Sequence, residues 1–163
     1  MDTLAASGET NIEASPQLVY QLISEVDKAS RWAVECVRNE WLGGADGPRV
    51  GAQFKGFNRR GFFRWSTVAT ITDAEPGRRF AFDVVSSGVP ISRWSYELAE
   101  TPQGCVVTER AWERRPGWMK ILSFFAAGVW DRPARNKSNI EQSLERLKKV
   151  AEGTAQAIQK DRR

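Results

Sequence analysis

Apolar positions along the chain change their period twice, and the changes divide it into three parts. The stretch from Glu9 to Ala14 reads as a first strand. Ser15-Pro16 then marks a helix start, with Ser at the cap and Pro at the first helical position, where its missing N–H costs nothing. Leu18, Val19, Leu22, Ile23 and Val26 follow at helical spacing. Asp27 is placed to cap a second short helix carrying Trp32. From Glu35 the period becomes two. The strands so delimited are Cys36 to Leu42, Gly51 to Asn58, Phe63 to Thr72, Arg79 to Ser86, Ser92 to Leu98 and Cys105 to Glu113. Turn clusters separate several of them, among them Gly43-Gly44-Ala45-Asp46-Gly47-Pro48, Arg59-Arg60-Gly61 and Pro102-Gln103-Gly104. Connections this short make an antiparallel meander the economical arrangement, and the first strand brings the sheet to seven.

After Pro116-Gly117 the period returns to that of a helix. Trp118, Ile121, Leu122, Phe125 and Val129 fall at spacings of three and four, and Ile140, Leu144, Leu147 and Val150 continue the stripe. Asp131-Arg132-Pro133 predicts a kink or restart, and Gly153 a stop. The expectation is an α+β domain over residues 9–152, with tails at 1–8 and 153–163. It has a curved seven-stranded antiparallel sheet wrapped on a long C-terminal helix, and two short helices between strands 1 and 2.

Composition narrows the chemistry. The 163 residues are 41% hydrophobic and 27% charged, an ordinary globular balance that excludes a disordered chain. Histidine is absent, which removes Ser-His-Asp, Cys-His and HExxH sites together. Cys36 and Cys105 have no CxxC neighbour, and acidic residues do not cluster, so neither a metal nor a cofactor is expected. The first residues lack the basic and apolar regions of a signal peptide, and the longest apolar run, Ile121 to Trp130, is too short to span a bilayer. A cytoplasmic protein with free thiols is expected. The formal charge of +4 is mild. Arg59-Arg60, Arg64, Arg78-Arg79 and Arg114-Arg115 mark strand ends and turns, and read as solvated sheet-edge charge rather than a nucleic-acid surface.

A single curved sheet crossed by one amphipathic helix encloses a space that large side chains fill or a ligand occupies. Phe80, Phe82, Trp94, Tyr96, Trp118 and Phe125 are candidates to line it, with Trp65, Phe54 and Trp32 as additions. The order of elements resembles the helix-grip fold of the START/Bet v 1-like (SRPBCC) superfamily. The local wording is closest to its bacterial polyketide cyclase/dehydrase and lipid-transport branch. The likeness is carried by Ile12-Glu13-Ala14-Ser15-Pro16, Ser30-Arg31-Trp32, Val50-Gly51-Ala52-Gln53-Phe54-Lys55-Gly56, Glu75-Pro76-Gly77-Arg78-Arg79-Phe80-Ala81-Phe82, Trp94-Ser95-Tyr96-Glu97-Leu98 and Thr108-Glu109-Arg110. Asn139-Ile140 through Leu144-Glu145-Arg146-Leu147 resembles the closing helix. The resemblance implies an elongated apolar cavity between sheet and helix, open near the front of that helix.

By strand alternation Asn58, Tyr96 and Glu109 are candidates to point inward. Asn58 has the phase of Phe54, Tyr96 that of Trp94, and Glu109 that of Cys105 and Val107. The opposite phase of the last strand is nearly as apolar, so its inward face stays open. Tyr96 and Glu109 are the candidates for proton transfer if any reaction occurs. Three functions are compatible with these residues: a carrier or sensor of a hydrophobic small molecule (lipid or aromatic polyketide-like), a polyketide cyclase or dehydratase, and a ligand-free protein-interaction module. The chain is expected to be a monomer or homodimer. Residues Trp118 to Phe125, with Arg114 and Arg115 before them and Lys120 among them, suggest a transient membrane-surface contact.

Overall fold

The computed structural model describes residues 2–118 and 132–162. These form β1 (Thr3–Ile12), α1 (Pro16–Ser24), a 3-10 helix (Val26–Arg31), β2 (Cys36–Trp41), β3 (Gln53–Arg60), β4 (Phe63–Glu75), β5 (Arg79–Ser86), β6 (Val89–Thr101), β7 (Gly104–Glu113) and α2 (Arg132–Asp161). The strands make one sheet in the order β1-β7-β6-β5-β4-β3-β2, every pair antiparallel. The meander from β2 to β7 follows the chain, and only β1 crosses over to pair with the last strand. This is the helix-grip architecture. Register irregularities interrupt the β1–β7, β2–β3, β4–β5 and β5–β6 pairs, and bulges of this kind bend strands.

Local signals act as their chemistry dictates at the first helix. Ser15 Oγ accepts from the Leu18 N–H at 3.3 Å, and Pro16 occupies the first turn. Asp27 does not cap the next element, contrary to expectation. Glu25 holds that position without a side-chain bond, because the α1 end runs directly into a 3-10 turn with no extended residue between. Both predicted tails are also structured. Residues 3–8 extend β1, since Thr3 to Gly8 find partners from Glu113 to Glu109 on β7, a pairing that no local pattern reveals. Gly153 does not stop α2. The helix continues to Asp161 because Ala155 still packs on the core and Thr154 Oγ1 donates to the Val150 carbonyl at 2.7 Å. The predicted cap at Asp131 and the stripe from Ile121 to Val129 lie outside the described residues.

Helix α2 packs chiefly along β1 and touches the remaining strands little. Gly8 is the reason it sits so close. A Cβ on Gly8 would lie 2.8 Å from Ile140 Cγ2. Ile140, Leu144, Leu147 and Ala151 are buried along this seam. Val19 and Ile23 of α1, with Ile12, Leu98, Cys105 and Val107, complete the filled part of the core. Among the described residues, α2 makes few contacts with the strands from β2 to β6.

Gly104 holds the β1 end and β7 together: a Cβ there would sit 2.1 Å from the Ile12 carbonyl oxygen. Backbone cannot yield as a flexible side chain would. Gly104→Ala is expected to destabilise the fold by about 3 kcal/mol, read as a lowered urea midpoint, whereas Gly43→Ala in the open β2–β3 loop costs less.

Candidate functional site

Adjacent strands stack their inward residues in rows across the concave face. On β6 and β7 the rows are Leu98 with Val107, Tyr96 with Glu109, Trp94 with Ala111 and Ser92 with Glu113. The first row belongs to the filled core. The rows beyond it border a cavity of about 290 Å³. Tyr96 and Glu109 therefore form its floor. On β5, Phe80, Phe82 and Val84 oppose Tyr96, Trp94 and Ser92 and continue the wall. Gly56 and Ala69 line it on β3 and β4, and their small size leaves room that larger side chains would take.

The floor pair is the unusual chemistry. Tyr96 Oη donates to Glu109 Oε1 at 2.9 Å, and both residues are buried. Glu109 Oε2 has no hydrogen-bond partner among the described residues. Burial disfavours the charged carboxylate and raises the Glu109 pKa from its ordinary 4.5 to about 8, although the Tyr96 bond acts in the opposite direction. At neutral pH Glu109 is mostly the neutral acid. Burial and the neighbouring Glu109 likewise hold the Tyr96 phenol well above its ordinary range. Trp32 fixes the tyrosine ring edge-to-face at 5.9 Å, and its own indole N–H donates to the Leu22 carbonyl at 3.2 Å.

The last strand's inward phase, open on sequence alone, is that of Cys105, Val107 and Glu109, all buried. Trp32, Phe54, Asn58 and Trp65 border the cavity, as do Phe80, Phe82, Trp94 and Tyr96. Their places differ: Trp32 and Phe80 are fully packed, whereas Trp65 is 39% exposed near the rim. Trp118 does not join them. It is 58% exposed and does not border the cavity, because after Pro116-Gly117 the chain has left the sheet and strand alternation no longer directs it. Phe125 lies outside the described residues.

Several cavity residues escaped the sequence reading. Asn136, Asn139 and Ser143 recur at helical spacing on α2 and face the hollow. Their signal was available, since they make the stripe of Ile140 and Leu144 polar in its first half. Ser143 Oγ accepts from the Val34 N–H at 3.2 Å. Asn39, which donates to the Val26 carbonyl at 2.8 Å, shares the inward phase of Trp41. Cys36 falls off that phase because the register shifts between Cys36 and Arg38. Burial pushes its thiol up to about 11, so it is no ready nucleophile. Glu113 and Arg115 border the far end as an ion pair, with Arg115 Nε donating to Glu113 Oε1 at 2.7 Å. Position past the strand end hid Arg115.

A family model described as polyketide cyclase/dehydrase and lipid transport matches residues 3–152. The chain belongs to this family. The family's fold recurs in solved structures. Protein CV1439 from Chromobacterium violaceum is 15% identical, with a TM-score of 0.64 over 90% of this chain and 96% of that one. The Polyketide_cyc-like protein Cgl2372 from Corynebacterium glutamicum is 24% identical, with a TM-score of 0.59 over 92% and 93%. The di-domain ARO/CYC StfQ, from the steffimycin biosynthetic pathway, reaches 0.69 at 14% identity over 91% of this chain and half of that one. At these identities the likeness establishes the shared fold, and activity has to be argued from the site. A search among curated proteins returns no match.

The Glu109 carboxyl ties the site to stability. Between pH 4.5 and about 8 the folded chain keeps a proton that the unfolded chain releases. Stability contributed by this group is full below pH 4.5 and falls by at most about 1.4 kcal/mol per pH unit as pH rises through that window. Glu109→Gln, which cannot ionise, is expected to flatten that decline in denaturation curves recorded from pH 5 to 9. Parallel curves for the two proteins would show that Glu109 ionises normally.

Proposed function

We propose that the chain binds one hydrophobic small molecule in the cavity between sheet and α2, as a carrier or sensor. The observation that carries this reading is a partly enclosed hollow with aromatic walls and, at its floor, a buried polar atom, Glu109 Oε2, that has no partner among the described residues. Apolar ligand surface buried there contributes about 25 cal/mol per Å². Because Oε1 accepts from Tyr96, the proton of the neutral acid belongs on Oε2, which no described residue engages. It donates to an oxygen of the ligand and sets its orientation. A volume of about 290 Å³ is near the lower end for small-molecule sites and suits a ligand of modest size, or one that projects through the mouth.

One observation favours an enzymatic reading as well. A carboxylic acid with a pKa of about 8, hydrogen-bonded to a phenol in an apolar pocket, is matched to proton transfer near neutral pH. In that reading Glu109 protonates or polarises a carbonyl and Tyr96 positions it, as a polyketide cyclase or dehydratase requires. Protein interaction without a ligand gains no such support, since the front of the C-terminal helix lies outside the described residues.

Native mass spectrometry of protein purified from its host separates these readings. A carrier retains a co-purifying apolar molecule, and Val84→Phe, which adds a ring to the cavity wall, reduces its occupancy by about tenfold or more while the circular dichroism spectrum is unchanged. Tyr96→Phe leaves a carrier's affinity within about tenfold but abolishes turnover of a linear polyketone if the dyad is catalytic. An unoccupied protein that neither retains an apolar molecule nor turns one over contradicts both.

A further inference from the structure

The β3–β4 hairpin carries a surface that the cavity does not explain. Its tip reads Arg59-Arg60-Gly61-Phe62-Phe63-Arg64. Phe62 is fully exposed and Phe63 is 56% exposed. Two neighbouring phenyl rings presented to water at the outermost point of a strand pair are unusual, because ordinary turns use small or polar residues there. Gly61 adopts a φ of +54°, which lets the turn close with both rings outward.

Charge makes the tip specific. Arg59 and Arg64 stand directly opposite each other across the two strands, an arrangement that like charges destabilise. Neither they nor Arg60 has an acidic partner among the described residues. Other arginines of the sheet behave differently: Arg93 and Arg114 both engage Asp83, at 2.6 and 2.7 Å, and Arg110 engages Glu97 at 2.7 Å. The chain between Asp46 and Asp73 contains no acidic residue. Lower on β3, Lys55 lies over the Phe57 ring and extends the basic surface, while Arg38 of β2, also over that ring, is paired with Glu40. Solvated sheet-edge charge, the expectation from sequence, accounts for isolated arginines. It does not account for an uncompensated pair joined to two exposed rings.

We propose that this hairpin tip docks on an anionic lipid surface, with Phe62 and Phe63 entering the boundary between headgroups and acyl chains and Arg59, Arg60 and Arg64 engaging lipid phosphates. Exposed aromatics with adjacent cations are the combination that binds such surfaces. A nucleic acid would be served by the arginines, but it would leave rings at the extreme tip without a reason to precede them. The hairpin also leads to the cavity: Asn58 and Trp65, paired across β3 and β4 beside the tip, both line it. Docking would place these two cavity residues near the lipid. The docking surface stands independently of what the cavity holds.

Flotation of the full chain with two kinds of vesicle tests this, one of phosphatidylcholine alone and one of phosphatidylcholine mixed with phosphatidylserine. The protein is expected to float with the mixed vesicles only, and to be released by raised salt. Phe62→Ser with Phe63→Ser, and separately Arg59→Gln with Arg64→Gln, should each lower partitioning by about tenfold or more. All four side chains are exposed, so unchanged circular dichroism is expected and shows that the fold is intact. Failure of the wild type to float, or variants that float equally well, overturns the proposal. So does a hairpin that retains single-stranded RNA while ignoring vesicles, or substitutions whose one effect is to split a dimer into monomers. Ligand retention by native mass spectrometry is scored separately, so an empty cavity and a non-binding hairpin are distinguishable results.

Discussion

Helix α2 meets the sheet along β1, where the absence of a side chain on Gly8 lets Ile140 come closer than any Cβ would permit. A helix drawn tight at one margin of a curved sheet touches the rest of it less, and among the described residues α2 meets the strands from β6 to β2 little. Leu144, Leu147 and Ala151 seal the near side. α1 and the 3-10 helix then close the bottom with Val19, Ile23 and Val26, and Tyr20 meets Phe80 edge-to-face. The hollow is what these contacts leave over, and it is consistent with the small residues Gly56 and Ala69 on its wall.

The Tyr96–Glu109 row marks the boundary between the filled and the hollow halves. An ionised carboxylate at that depth would lose hydration that one phenol bond does not replace. The neutral acid avoids most of this penalty but still leaves a donor unsatisfied. A hydrophobic pair would pack the row at least as well, as Leu98 and Val107 do one row below. Polar groups buried at a net cost, within a cavity, are where function is sought first. The row's position also explains why its two polar groups act on one point: cross-strand partners share a face, so a Tyr on β6 and a Glu on β7 are brought together by register alone.

Much of this architecture could be read from the sequence, and the failures share a cause. Strand β5 was legible to the residue because Phe80, Phe82 and Val84 alternate without interruption between clear turns. Tyr96 inherited its phase from Trp94 and Leu98 in the same way. Residues 3–8 looked like a tail because their strand character comes from β7, about a hundred positions away, and from a helix that demands small residues above it. Glu109 could not be placed while Val106, Thr108, Arg110 and Trp112 offered a nearly as apolar alternative; only pairing with Tyr96 decides it. Trp118 was misassigned by extending a helical stripe across Pro116-Gly117 into residues whose partners the pattern does not specify. Local periodicity locates elements, whereas the cavity is a property of how far apart they are held.

The polar half of the α2 stripe bears on whether the hollow needs an occupant in order to fold. Asn136, Asn139 and Ser143 replace the apolar residues that continue the stripe below, and Asn58, Thr67 and Glu109 border the same space. Water entering such a cavity finds several hydrogen-bonding groups, so the unoccupied state is hydrated at moderate cost rather than left as a dry void. Groups on opposite walls that solvate water also yield it when an apolar molecule arrives. That property suits a protein that must be stable with the hollow empty as well as filled.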